Sequence, residues 1–180
     1  NLFIEEIEIR TDNDPDVKPY VQEINMEWVK VDLPQVFLEV QKFLQNFLKE
    51  RIEKLKKWGI LHRADLRYVS KTDLLELQAQ LRGRAATGEK DFVLWNAISL
   101  LAEIMKIYHG LELLETQGIV SLFKYMDRLQ QESLTTKVKA VKNAVKDLNF
   151  RSALVKVQKL YEEKIEHPKL VELQKIIESE

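Results

Sequence analysis

DLPQVFLEVQKFLQNFLKERIEKLKKWG, residues 32–59, is the stretch that decides the fold. Val36, Phe37, Val40, Phe43, Leu44, Phe47, Leu48, Ile52 and Leu55 recur every three or four residues. That spacing predicts one amphipathic helix of roughly six turns. Asp32 is suited to cap it, with Pro34 in the first turn and Gly59 as the stop. The aromatics Phe37, Phe43, Phe47 and Trp58 are read as core rather than as base-stacking residues, because they follow the helical spacing.

Toward the C-terminus the same period continues. Ser70 and Asp73 form a capping-box pattern ahead of Leu74, Leu75, Leu77 and Leu81, and Gly83 and Gly88 weaken that helix's end. A long helix is expected from Asp91 to Glu115, ended by Gly118. Shorter ones are expected at 119–131, 135–147, 150–165 (capped by Asn149) and 168–179 (opened by His167-Pro168). The fold class read from this pattern is mainly α, a multi-helix domain. Toward the N-terminus the period falls to two. Residues 2–10 and 23–31 alternate apolar and polar, as strands do, around the turn-forming DNDPD at 12–16. Such strands need partners that the rest of the chain does not offer. They are expected to be a short N-terminal strand remnant, the edge of a sheet domain, and a chain that starts at Asn1 in strand-like sequence is expected to be cut from a longer protein.

The 180 residues are 45% apolar and 32% charged, enough for a core. The absence of cysteine excludes disulfides, thiolate zinc sites and cysteine nucleophiles, and suits a reducing, cytoplasmic setting. No apolar run approaches the roughly 18 residues of a membrane span, so no membrane partner is expected. The formal charge of −1 averages two regions. Residues 1–33 hold three bases and nine acids, whereas 34–180 hold 25 bases and 20 acids, which points to an anionic partner for the helical part.

Chemistry-bearing motifs are scarce. Neither a GxxxxGK[ST] nor a GxGxxG phosphate loop occurs, and LRGRAATGEK at 81–90 has the wrong spacing for one. His62, His109 and His167 lack metal-ligand spacing, and His109 reads as a packed or surface residue and His167 as a helix start. The pairs Glu5-Glu6 and Glu162-Glu163 read as solvated surface. No catalytic residue, metal site or cofactor is expected in this chain.

Two basic clusters remain. Residues 137–159 carry Lys137, Lys139, Lys142, Lys146, Arg151, Lys156 and Lys159 against Asp147 alone. Lys139, Lys142 and Lys146 share a helix face by their spacing. Residues 49–90 carry eleven bases against six acids. Clusters of this kind bind phosphates by counterion release, or are simply solvated helix faces, and both readings stand. Glu50 and Glu53 are expected to pair with Lys54 and Lys57. The main DNA-binding candidates are therefore Lys137, Lys139, Lys142, Lys146 and Arg151. The secondary ones are Lys54, Lys57, Arg63, Arg67, Arg82, Arg84 and Lys90.

Four runs carry a family resemblance: NLFIEEIEIRTDNDPDVKPYV at 1–21, WVKVDLP at 28–34, IMKIYHGLELLETQGIVSLFKYMDRL at 104–129 and EHPKLVELQKII at 166–177. Together they resemble the region of archaeal Hef helicases, relatives of the Fanconi anaemia M helicases, that leaves one RecA-like motor domain, builds a helical insert and enters the second. The resemblance is loose at 60–95 and 130–150. It implies that 1–32 is the strand edge of the first motor domain, 33–166 the helical insert, and 167–180 a helix leading toward the second. It further implies a superfamily 2 parent, nucleoid-associated, with ATP and Mg²⁺ held by the motor domains and a structure-specific nuclease attached. The insert's partners would be forked or branched DNA and the flanking motor domains of the same chain. A structural lever or protein-docking module is the alternative.

Overall fold

The computed structural model of the chain describes residues 6–21, 26–61, 69–89 and 91–179. They fall into two compact units, Asn1–Lys30 and Val31–Glu180.

In the first unit DNDPD makes the expected turns. The Asp14 carboxylate accepts from the Thr11 amide at 2.6 Å, Arg10 pairs with Glu8 and Asp16, and a 3₁₀ turn follows at Lys18–Tyr20. The strands anticipated on both sides are not formed over 6–10 and 26–31. Strand pairing needs a neighbouring backbone to exchange hydrogen bonds, and among the described residues these stretches have none, with Ile7, Ile9, Met26 and Trp28 exposed. The remainder of both runs lies outside the described residues.

The second unit is helical: α1 Gln35–Lys57, α2 Lys71–Ala86, α3 Phe92–Thr116, α4 Ile119–Thr135, α5 Lys139–Lys146, α6 Leu148–Glu162 and α7 Pro168–Ser179. α3 is the axis. It packs against α1, α2, α4 and α5, while α6 closes against α1, α4 and α5. Its buried residues, among them Leu94, Leu101, Ile104, Ile107 and Leu114, point to several sides, as a central helix requires. Phe37, Leu44, Phe47 and Leu55 of α1 are fully buried against it, and Phe150, Ala153 and Val157 bring in α6.

The helix ends follow local chemistry. Gly59 stands at φ +68°, and the Gly59 and Ile60 amides donate to the Lys56 and Leu55 carbonyls, which are otherwise orphaned at the end of α1. Ser70 and Asp73 close a reciprocal capping box on α2, and the Asp91 carboxylate accepts from the Val93 amide at 2.9 Å on α3. Two expected caps are corrected. α1 starts after Pro34, which itself stands at the cap position with ψ 154°, so Asp32 lies before it. α6 is capped by Asp147, which accepts from the Asn149 amide at 2.8 Å, because Asn149 already lies inside the helix. His167 opens α7 as expected, its Nδ1 accepting from the Lys169 amide at 3.2 Å.

Candidate nucleic-acid interface

Where α1, α3, α5 and the start of α6 meet, the bundle buries an arginine. Arg51 is 7% exposed and lies over the Phe47 ring, 4.2 Å from its centroid. Its Nε donates to Glu103 Oε2 at 3.1 Å, its Nη2 meets Asp147 Oδ2 at 2.7 Å, and its Nη1 reaches Glu50 at 3.4 Å. Asn143 donates to the other Glu103 oxygen at 2.9 Å, and Asn149 donates to Glu50 at 3.1 Å. Both buried carboxylates are thus taken up by Arg51 and its neighbours. A buried guanidinium tolerates desolvation only when its fork of donors is matched in this way.

Directly over this knot opens a cleft of about 520 Å³. Arg51, Glu103, Asn143 and Asp147 belong to its wall, and Lys54, Lys139, Lys146 and Trp58 also line it. Lys54 follows Arg51 by three residues in α1, and Lys139, Asn143 and Lys146 recur along one face of α5, whose opposite face buries Ala140, Val141 and Ala144. The cleft therefore joins the two basic clusters, bringing Lys54 together with Lys139 and Lys146, 85 and 92 positions further along the chain. Among the described residues, none of these three lysines has an ion-pair partner within 4 Å. Glu50 turns to Arg51 and Asn149 instead of Lys54, which corrects the expected Glu50–Lys54 pairing, and no Glu53–Lys57 pair forms either. Four cations face two carboxylates, so the cleft is net positive. Such a charge distribution attracts and holds an anion.

The other candidates are scattered. Lys137 and Lys142 are exposed but do not line the cleft. Arg151 faces a separate, largely apolar hollow with Phe43, Val155 and Lys159, beside Lys156, which is paired with Glu39. Lys57 and Arg82 are exposed. Arg84 is held by Glu89 at 2.5 and 2.9 Å, a hydrogen-bonded pairing that keeps the Glu89 carboxyl below its ordinary range. Arg63, Arg67 and Lys90 lie outside the described residues.

Of the aromatic stripe, Phe37 and Phe47 are core and Phe43 packs partly against it. Trp58, at the C-cap of α1, is 40% exposed on the cleft wall. The sequence reading also passed over Phe92 and Trp95, which are exposed on α3. Their signal was phase: they fall off the stripe of Leu94, Leu101 and Ile104. The burial of Arg51 had no local signal, since the two acidic partners buried with it, Glu103 and Asp147, lie 52 and 96 positions away.

Other polar contacts are structural. Lys71 grips Glu112 at 2.5 and 2.7 Å, tying α2 to α3 and lowering the Glu112 carboxyl's pKa, with His109 a further neighbour at 3.6 Å. His109 stacks edge-on against Tyr125, whose hydroxyl donates to the Lys106 carbonyl at 2.9 Å and whose pKa burial pushes up to about 12. Among the described residues no group of three or more His, Asp and Glu is placed to hold a metal ion. The run LRGRAATGE is helix to Ala86 and then a turn at Gly88, not a cradle of amides between strand and helix, so it does not fit ATP. No described helix is long and apolar enough to cross a membrane.

Comparison with known proteins agrees with this architecture. Residues 36–164 match the family described as "Putative ATP-dependent RNA helicase, helical bundle". The chain is 34% identical over 170 residues to the "Putative ATP-dependent RNA helicase MJ1505" of Methanocaldococcus jannaschii, covering 94% of this chain and 20% of that protein. It is 28% identical over 129 residues to the Fanconi anemia group M protein of Gallus gallus, covering 70% of this chain and 6% of the other. The crystal structure of the Pyrococcus furiosus Hef helicase domain superposes with a TM-score of 0.77 at 34% identity, over 98% of this chain and 36% of that one. The chain thus spans a fifth or less of the two relatives' length. With a bundle matched over most of its helices and a close structural counterpart in Hef, the chain belongs to the helical-bundle family of these helicases and is a helical domain of the Hef and Fanconi anaemia M kind.

Proposed function

We propose that this bundle is a non-catalytic DNA grip in an ATP-dependent superfamily 2 helicase that acts on forked or branched DNA in replication-fork repair. One observation carries the reading: Lys54, Lys139 and Lys146 converge on one cleft whose two carboxylates are already held by Arg51. Ammonium groups without local partners gain most by displacing counterions from a phosphate backbone, and such contacts position DNA without reading its sequence. The core set is then Lys54, Lys139 and Lys146, with Lys137, Lys142 and Lys57 as flanking contacts. Arg151 and Arg84 are peripheral to it.

ATP and Mg²⁺ belong to motor domains of the parent, and an associated structure-specific endonuclease belongs to the parent outside this bundle. The parent is assigned to the cytoplasm, at the nucleoid. α7 supports coupling to such neighbours, since it leaves Leu170, Leu173 and Ile177 exposed, as a helix does that packs on a flanking domain.

The test is a salt-dependent titration of the 180-residue chain with forked, four-way and blunt linear DNA, and with RNA as competitor. The expected result is tighter binding to branched DNA, with a slope of log affinity on log salt that falls by about 0.9 for each of the three lysines changed to glutamine. A matched Lys137, Lys142 and Arg151 set should flatten it less. No binding at low salt would overturn the grip and leave the bundle as a lever between motor domains.

A further inference from the structure

Phe92 and Trp95 open α3 on the side away from Leu94 and Leu101, and they are 80% and 55% exposed. They line a shallow hollow of about 510 Å³ that shares Asn96, Ser99 and Lys139 with the lysine cleft. Trp58 also lines that cleft. Aromatic rings exposed to this degree are unusual on a charge-rich surface, and here they adjoin cations that lack acidic partners among the described residues. Lys139 belongs to both concavities, so an anion held at its ammonium lies beside the rings.

We infer that the Phe92–Trp95 hollow is a stacking platform for unpaired bases, so that the cleft takes the single-stranded segment of a branched nucleic acid rather than its duplex arms. This rests on the phosphate-grip reading and deepens it. A duplex hides the faces of its bases and presents only phosphates and groove edges, which ammonium groups serve equally well anywhere along it. An unpaired strand adds exposed π-faces, and every base has one, so stacking gives structure selectivity without sequence selectivity. Asn96 and Ser99, between the two concavities, supply an amide and a hydroxyl for hydrogen bonds to sugar or base.

The experiment compares the 180-residue chain on oligothymidylate, on an abasic oligomer of the same length and on a blunt duplex. Wild type should prefer oligothymidylate over the abasic strand by about tenfold or more. Phe92→Ala with Trp95→Ala should erase that preference and leave the salt slope unchanged, with helicity checked by circular dichroism. Trp95→Leu, which keeps apolar volume but removes the π-face, should lose most of it. In a Trp28→Phe, Trp58→Phe background Trp95 is the sole tryptophan, and oligothymidylate should quench its emission while the abasic strand does not. Equal wild-type affinity for the two strands, or an unquenched Trp95 at saturation, overturns the platform. If the lysine substitutions weaken binding and the aromatic ones do not, the grip stands, the platform is overturned, and the hollow is a protein-docking face. If nothing binds, grip and platform fall together.

Discussion

Arg51 and Lys54 sit one turn apart on the same helix, yet they face opposite physical problems. Arg51 is buried, and the bundle surrounds it with Glu103, Asp147, Asn149's partner Glu50 and the face of Phe47. Lys54, with Lys139 and Lys146, stays at the mouth of the same cleft with no acidic partner among the described residues. The two facts are linked. Carboxylates that neutralise a buried guanidinium are not available to the lysines above it, so the folding requirement of the interior sets the charge of the surface. A structural cation and a binding cation are told apart by who their partners are, not by residue type.

The contrast is most directly broken at Arg51. Arg51→Met should cost about 3–5 kcal/mol in urea unfolding, because Glu103 and Asp147 are left buried and unpaired. A loss under about 1 kcal/mol would mean the knot is not structural. The opposite behaviour is expected of the triple change of Lys54, Lys139 and Lys146 to glutamine. Stability should stay within roughly 0.5 kcal/mol, while affinity for forked DNA at low salt should fall by more than tenfold. A comparable loss of stability would erase the distinction.

Asp147→Asn sharpens it further. Asparagine still caps α6, but one carboxylate leaves the cleft. Stability should drop by about 1–3 kcal/mol and DNA binding should tighten, two effects of opposite sign from one atom. Unchanged affinity would mean that Asp147 does not shape the field of the cleft.

Far from the cleft, burial holds the His167 imidazole below its ordinary pKa of 6.5, with Lys169 adding to the effect and the Glu115 and Leu114 carbonyls opposing it. The unfolded chain therefore binds this proton more readily than the folded one. Stability is full above pH 6.5 and declines as pH falls below it, until the folded imidazole also protonates. Melting temperature against pH should show this decline, and His167→Asn, which keeps a capping acceptor without the titration, should flatten it. The smallest effect is expected at Lys164, which ends α6 at φ +55° where glycine is favoured. Lys164→Gly should raise stability by about 1 kcal/mol or less without touching DNA binding.

The helices were legible in the sequence because their information is local. A stripe such as Phe37-Val40-Leu44-Phe47, a capping box at Ser70 and Asp73, or a glycine at 59 or 118 acts within one or two turns, and each did what its chemistry dictates. Local reading failed where a neighbour decides, as with the strand-like runs whose described parts have no strand to pair with, and with Asp147, which outcompetes Asn149 as a cap. The basic clusters were visible as counts, and composition alone does not say which of their members share a cleft. Only packing sends Arg51 inward, draws Lys54 to Lys139 and Lys146, and turns Arg151 to another face. The reason is range. Helix formation depends on contacts three and four residues apart, whereas the net charge of a cleft depends on which distant carboxylates the interior has already claimed.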